Sequence, residues 1–512
     1  MRVAQPLQID SGWHVFGLSA GSIVMFSVLT LVFPETASSI LSAARSWIVV
    51  ELDWLFMLAA NATLLVCVIV AFSPLGKLRL GGAAAQPQFS AAAWLAMLFA
   101  AGVGTGMVFY GTAEPAAYYS GWSGTPLNVP AQTPAAERLA FSATMVHWGF
   151  TPWAIYALVG IGLGYAHYNQ GLPMTIRSAF APVLADATWR WPGHMIDFIA
   201  VIATVFGLAT ALGMGVTLVG SGIEFLTGIS NGLAIQLPLI IAITGLAIGS
   251  VVRGLDRGIR VLSQINLALA FALLAFIILA GPTARITASY LPNMAAYMAD
   301  FAALSSWGQR PDEPWFRNWT ILYFAWWVAW SPFVGVFIAR ISKGRTIRSV
   351  LAATIILPTL IGLVWFSSFG GAAIAQIQDG IGALSEGVVP DHLVLYQTLN
   401  NLPWPQVTSL LAIVLLIVFF VTSSDSGSFV VDMITAGGRL DAPVARRVFW
   451  ASLEGLVAIA LLVGGGKTAL STLQSGVILA GLPFTLLLLF CGFSLLLSLV
   501  DALRRKRTLK AM

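Results

Sequence analysis

The chain is written as long apolar runs separated by shorter polar stretches. Runs near the roughly 20 residues that cross a bilayer as a helix recur at about 16 to 33, 54 to 72, 90 to 110, 140 to 166, 197 to 225, 233 to 252, 262 to 283, 318 to 340, 349 to 374, 407 to 433, 448 to 464 and 474 to 499. The pattern predicts an all-α polytopic membrane protein with twelve transmembrane helices. The first run lacks a small-residue cleavage site and further runs follow it, so it reads as a retained helix. The longest connections, about 111 to 139, 284 to 317 and 375 to 406, read as outer loops, and both tails are short.

Composition agrees, because a chain that is 58% hydrophobic and 9% charged cannot be a water-soluble globule. Charge then fixes the orientation, since cytoplasmic loops carry most of the Lys and Arg. With both termini inside, the outer segments keep only Arg45, Arg138, Arg285, Arg310, Arg317 and Lys467. The other 20 of the 26 basic residues fall on the inner side. The net charge of +5 follows from this bias and is no sign of nucleic-acid binding. Cys67 and Cys491 both fall inside spans and suggest neither a disulfide nor a metal site.

Helix breakers at membrane depth mark places where backbone lines a cavity. The third run carries Ala100-Ala-Gly-Val-Gly-Thr-Gly106, and the eighth carries Ser331-Pro-Phe-Val-Gly335. If spans 3 to 7 and 8 to 12 are two five-helix repeats, each break lies in the first member of its repeat, as in secondary transporters with inverted repeats. Residues 1–89 are then two peripheral helices, 90–283 the first repeat, and 284–512 the second repeat with its short tail. Close packing at the glycines would also explain the third run.

Three tryptophans, Trp326, Trp327 and Trp330, lie in the body of the eighth run. Positions 326 and 330 are one turn apart and 327 is rotated by about 100°, so the rings can line one cavity. Indole is the side chain best suited to hold a quaternary ammonium group. An interfacial belt or simple packing also produces buried tryptophan, and Trp315 and Trp319, nearer the polar loop, fit a belt better. The fourth run adds Trp148 and Tyr156 in His147-Trp-Gly-Phe-Thr-Pro-Trp-Ala-Ile-Tyr156, with His147 read as a structural histidine.

The tenth run supplies hydroxyls in Phe419-Phe-Val-Thr-Ser-Ser-Asp-Ser-Gly-Ser428. Carbonyls freed in the third run, together with Thr422 and Ser423, would suit a hard monovalent cation such as sodium. The same hydroxyls can instead bond back to their own helix. Asp425 is an intramembrane acid, expected to pair with a basic residue, cap a helix or sense the ion. The five scattered histidines form no ligand pair at helical spacing, and Gly464-Gly-Gly-Lys-Thr468 lacks the first glycine of a phosphate loop and follows no strand. A membrane-embedded enzyme is therefore disfavoured, and no cofactor is expected beyond a coupling Na⁺.

The stretches Met97-Leu-Phe-Ala-Ala-Gly-Val-Gly-Thr-Gly-Met-Val-Phe-Tyr-Gly-Thr-Ala-Glu-Pro115, Trp148 to Tyr156, Phe324-Ala-Trp-Trp-Val-Ala-Trp-Ser-Pro-Phe-Val-Gly335, Ile338-Ala-Arg-Ile-Ser-Lys-Gly-Arg345 and Thr422-Ser-Ser-Asp-Ser426 resemble the betaine/choline/carnitine transporter family over nearly the whole chain. The resemblance implies twelve spans with a 5+5 inverted-repeat core like that of sodium-coupled amino-acid carriers, a homotrimer and a bacterial inner-membrane location. It implies a trimethylammonium cage of Trp326, Trp327, Trp330 and Tyr156, with Trp148 beside it. Ala100, Val103, Phe419, Thr422 and Ser423 fall where sodium-coupled members hold one ion. A second site would use Thr204 and Phe333, but the position that should add a hydroxyl is Leu208. Gly106 stands where choline carriers of the family place an Asp. A zwitterion such as glycine betaine, or a sulfonium analogue, is therefore favoured over choline. The expected activity is sodium-coupled import, with choline or carnitine carriage by proton symport or exchange as the alternative. The short tails imply constitutive uptake.

Overall fold

The computed structural model describes residues 13–102, 104–252, 256–439 and 443–511. Among them the chain is helical, with only isolated bridges, Arg79 to Thr346 and Trp122 to Gly124, outside the helices. The helices of ten or more residues are α1 Trp13–Val32, α2 Pro34–Glu51, α3 Asp53–Phe72, α4 Ala91–Gly102, α5 Thr105–Ser120, α6 Pro134–Trp148, α7 Phe150–Gln170, α8 Trp191–Thr227, α9 Leu233–Val252, α10 Asp256–Ala280, α11 Thr283–Leu304, α12 Thr320–Ile341, α13 Ile347–Gln378, α14 Asp391–Asn400, α15 Pro405–Thr435, α16 Val444–Gly465 and α17 Ala469–Ala511. Each of the twelve apolar runs falls on one of these helices or on a consecutive pair. Among the described residues ten stretches qualify as spans by length and hydropathy, α6 and α7 together making one of them, or eleven with the bent pair α10 and α11 counted as one. The third run, divided into α4 and α5 with Val103 outside the described residues, is not in that count.

Three differences from the sequence reading have physical causes. Residues 284 to 317 are mostly helix: α11 turns by 111° from α10 and buries Ile286, Asn293, Tyr297, Asp300 and Leu304 along one stripe. Asp300 there is ion-paired with Arg138 and accepts from Ser142 Oγ at 2.8 Å. The other two long connections are also partly helical, since α5 reaches Ser120 and α14 occupies 391 to 400. The eighth run, expected to break at Pro332, is a continuous helix. Proline removes the N–H that would reach the Val328 carbonyl, and Ser331 Oγ donates to that carbonyl at 2.7 Å instead.

The core is built where α12 lies against α7, α8 and α17. α7 and α12 approach backbone to backbone. A Cβ on Gly160 would stand 2.7 Å from Ile338 Cγ2, and one on Gly335 would stand 2.5 Å from Val159 Cγ1. Larger residues at either position would force the helices apart and shift the tryptophans one to three turns away. Asp425 is paired with Arg447 Nη2 at 3.0 Å and accepts from Ser250 Oγ at 2.6 Å, one of the roles anticipated for it. Cys67 and Cys491 are free and buried.

Candidate functional site

The helix break in the third run is where the site begins. α4 ends at Gly102 and α5 starts at Thr105, capped by Gly104 in an extended conformation (φ −124°, ψ 174°) with no side chain bonded to the helix end. A helix N-terminus presents unpaired N–H groups and the positive end of its dipole. Here Gly104, Thr105 and Gly106 line a cavity whose other walls are Trp148, Tyr156, Trp326, Trp327 and Trp330. The residues singled out as cage residues thus come together from three helix segments.

Burial decides between a cavity and an interfacial belt. Trp326, Trp327, Trp148 and Tyr156 are 9%, 8%, 6% and 2% exposed. Their rings face one another: Tyr156 lies tilted by 60° against Trp327 at 5.2 Å, while Trp327 meets Trp148 edge to face at 5.3 Å and Trp326 meets Trp330 at 6.4 Å with planes at 85°. Such T-shaped contacts are the favourable geometry for aromatic rings. The indole N–H groups of Trp326, Trp327 and Trp330 have no acceptor in the protein. Trp315 and Trp319, expected in an interfacial belt, are buried as well, packed edge to face on Tyr118 at 4.9 and 5.1 Å.

Gly106 faces the rings directly. A Cβ there would stand 2.6 Å from Trp148 Cη2 and 3.2 Å from Trp326 Cη2, so the glycine is what lets the half-helix close on the cage. Trp148 and Tyr156 are placed by a second break that the sequence reading missed. Gly149 (φ −99°, ψ −132°) separates α6 from α7. The freed groups are satisfied locally: Trp153 Nε1 donates to the Trp148 carbonyl at 3.1 Å, and the Phe150 N–H donates to Tyr297 Oη at 3.0 Å. The signal was present in Gly149-Phe-Thr-Pro152, a glycine followed by proline in the first turn of a new helix.

A buried polar cluster holds Trp148 in place. Its Nε1 donates to Glu114 Oε2 at 2.7 Å, while Glu114 Oε1 accepts from Tyr118 Oη at 3.0 Å and from His147 Nδ1 at 2.5 Å. His147 Nε2 lies 3.0 Å from Thr320 Oγ1, and its ring stacks on Tyr323 at 4.6 Å. The histidine is fully engaged. Glu114 belongs to the motif stretch but was not assigned a role from sequence, because its partners lie on other segments.

The residues considered for ions are placed less uniformly. Val103 lies outside the described residues, as does the side chain of Ala100, whose backbone is in α4. Phe419 is buried in unbroken α15, and Thr422 Oγ1 donates back to the carbonyls of Val418 and Phe419 at 3.0 and 2.9 Å. Ser423 instead lines a narrow, mainly apolar cavity adjoining the cage, which shares Thr105 and Trp330 with it and carries its polar atoms on Thr105, Thr244, Ser423, Ser424 and Glu454. Of the residues considered for a second ion, Thr204 donates back to the Ala200 carbonyl at 2.8 Å and Phe333 packs on Trp330 at 5.8 Å; neither lines either cavity. Leu208 reaches the cavity that Ser423 lines and contributes no oxygen there.

Comparison with known proteins gives a consistent answer. The sequence model of the betaine/carnitine/choline family of transporters matches residues 14–504. Glycine betaine transporter 1 of Vibrio parahaemolyticus is 48% identical over 487 residues, covering 95% of this chain and 93% of its own length. A glycine betaine/proline/choline/ectoine transporter of the same organism is 49% identical over 494 residues, 96% of this chain and 87% of that one. A glycine betaine transporter of Bacillus subtilis is 38% identical over 494 residues, with 95% and 93% covered.

Proposed function

Because the chain belongs to the betaine/carnitine/choline transporter family and is a multi-pass membrane transporter, not an enzyme, we propose that it imports a quaternary-ammonium zwitterion, glycine betaine foremost. The reading extends to alternating access of two five-helix repeats, sodium as coupling ion, a homotrimer and both termini in the cytoplasm. One observation carries the substrate assignment: a wall of aromatic rings and the uncapped N-terminus of α5 open on the same cavity. The rings hold a methylated cation that donates no hydrogen bonds. The helix end and the unpartnered indole N–H groups match a carboxylate. A zwitterion uses both features, whereas choline has no anion to offer and meets no countercharge at Gly106. At up to about 2 kcal/mol per desolvated ring, three indoles supply about 6 kcal/mol, equivalent to a dissociation constant of some tens of micromolar. That affinity is compatible with release.

The test is reconstitution of the full-length protein in liposomes, with labelled betaine and choline uptake measured under an inward sodium gradient, an inward proton gradient and no gradient. Saturable betaine uptake driven by sodium supports the proposal. Choline preferred over betaine overturns the substrate assignment, and uptake indifferent to sodium overturns the coupling assignment.

A further inference from the structure

Glu454 sits near the middle of α16, 2% exposed, in a helix that is otherwise apolar around it. Its Oε2 accepts from Ser424 Oγ on α15 at 2.8 Å, and its Oε1 has no partner. Among the described residues it makes no ion pair, and the nearby Arg447 is already committed to Asp425. An ionisable side chain at this depth is costly in its charged form unless a proton or a cation neutralises it, and such residues mark functional sites. The side chain is not isolated. It lines the narrow cavity behind Trp330 together with Thr244, Ser423 and Ser424. Thr244 Oγ1 is likewise buried without a partner. It packs close against α16, since a Cβ on Gly455, the residue after Glu454, would stand 2.6 Å from that hydroxyl.

We propose that Glu454, with the hydroxyls of Thr244, Ser423 and Ser424, forms a site for a small alkali cation directly behind the aromatic cage. The donor set consists of hard oxygens with one negative charge, the combination that suits such an ion. A bound proton would engage one oxygen of the carboxyl, whereas a cation would draw on the hydroxyls as well, and the experiment below separates the two. Thr105 and Trp330 line both this cavity and the cage, so an ion here presses on the same wall as the substrate. The inference rests on the transporter reading for its purpose, and names Glu454 as the charged ligand through which a coupling cation is felt.

The experiment is thermal unfolding of the purified full-length protein without substrate, titrated with NaCl, LiCl or KCl against N-methylglucamine chloride at constant ionic strength. Sodium or lithium should raise the unfolding temperature saturably. Glu454→Gln, which keeps the side-chain volume and an acceptor for Ser424, should raise the half-saturating concentration at least about tenfold, because the one charged ligand is lost. Thr244→Val should weaken it a few-fold and decides the matter if Glu454→Gln does not fold. An unchanged half-saturating concentration in these variants overturns the site. So does a wild-type protein stabilised by acidification alone with no response to alkali cations, which would make Glu454 a proton holder. Betaine is absent throughout, so failure of the substrate assignment leaves this result standing. A flat cation response alongside intact betaine uptake overturns the cation site alone.

Discussion

The indole of Trp148 is anchored by the carboxylate of Glu114, Nε1 to Oε2 at 2.7 Å, with both groups buried. The acid touches no part of the cavity, yet it fixes the angle of the ring against which Gly106 and Trp327 close. Hydrogen bonds to a charged acceptor contribute about 1.5–3 kcal/mol. Glu114→Ala is therefore expected to raise the half-saturation concentration for betaine about tenfold or more and to lower thermal stability. An unaltered uptake curve in a folded variant would show that Trp148 is held by packing alone.

The cage rings are expected to dominate affinity. Trp326→Leu and Trp330→Leu should each raise the half-saturation concentration about 30-fold, the equivalent of about 2 kcal/mol per ring. Trp153→Leu, behind Trp327 at 5.9 Å and outside the cavity lining, should change it only a few-fold. Equal effects at all three positions would count against direct contact with a cation.

Gly106→Asp is expected to lower total uptake while raising choline relative to betaine. Its Cβ would meet Trp148 at 2.6 Å and must displace the ring, and its carboxylate would supply the missing countercharge. Competition assays with both substrates measure the ratio, and Gly106→Ala separates the steric part from the charge.

The tenth run gives a sharper expectation than its spacing did. Thr422 already spends its proton on its own helix, while Ser423 lines the cavity that holds Glu454. Ser423→Ala together with Thr422→Ala should abolish sodium dependence of uptake, with Ser423→Ala alone producing most of the shift. Thr204→Val should leave sodium dependence as it is. Sodium titrations of initial uptake rates distinguish these outcomes.

Much of this architecture is legible in the residues. Hydropathy locates the membrane helices because an apolar run of this length has few other uses. The alternating glycines at 102 to 106 point to the α4–α5 break, although the equally alternating Gly160, Gly162 and Gly164 sit inside unbroken α7. The rings of 326, 327 and 330 share one helix, so local periodicity groups them. What escaped was nonlocal. Glu114, Tyr118 and Thr320 meet His147 and Trp148 only after three segments fold together, and Glu454 finds Ser424 and Thr244 on two other helices. The helix at 283 to 304 was hidden because its buried stripe mixes Asn293 and Asp300 with apolar residues. Trp315 and Trp319 lie close to a polar loop in sequence, but Tyr118 covers them in space.

The hydroxyl of Ser331 closing on the Val328 carbonyl has a mechanical consequence. With that gap repaired from within, the segment bearing three indoles behaves as a stiff strut through its proline. Under the proposed alternating access, reshaping of the cavity is expected at the two glycine joints on the opposite wall, Gly104 and Gly149. On that proposal the aromatic face serves as the anvil, with the jointed segments hinged against it.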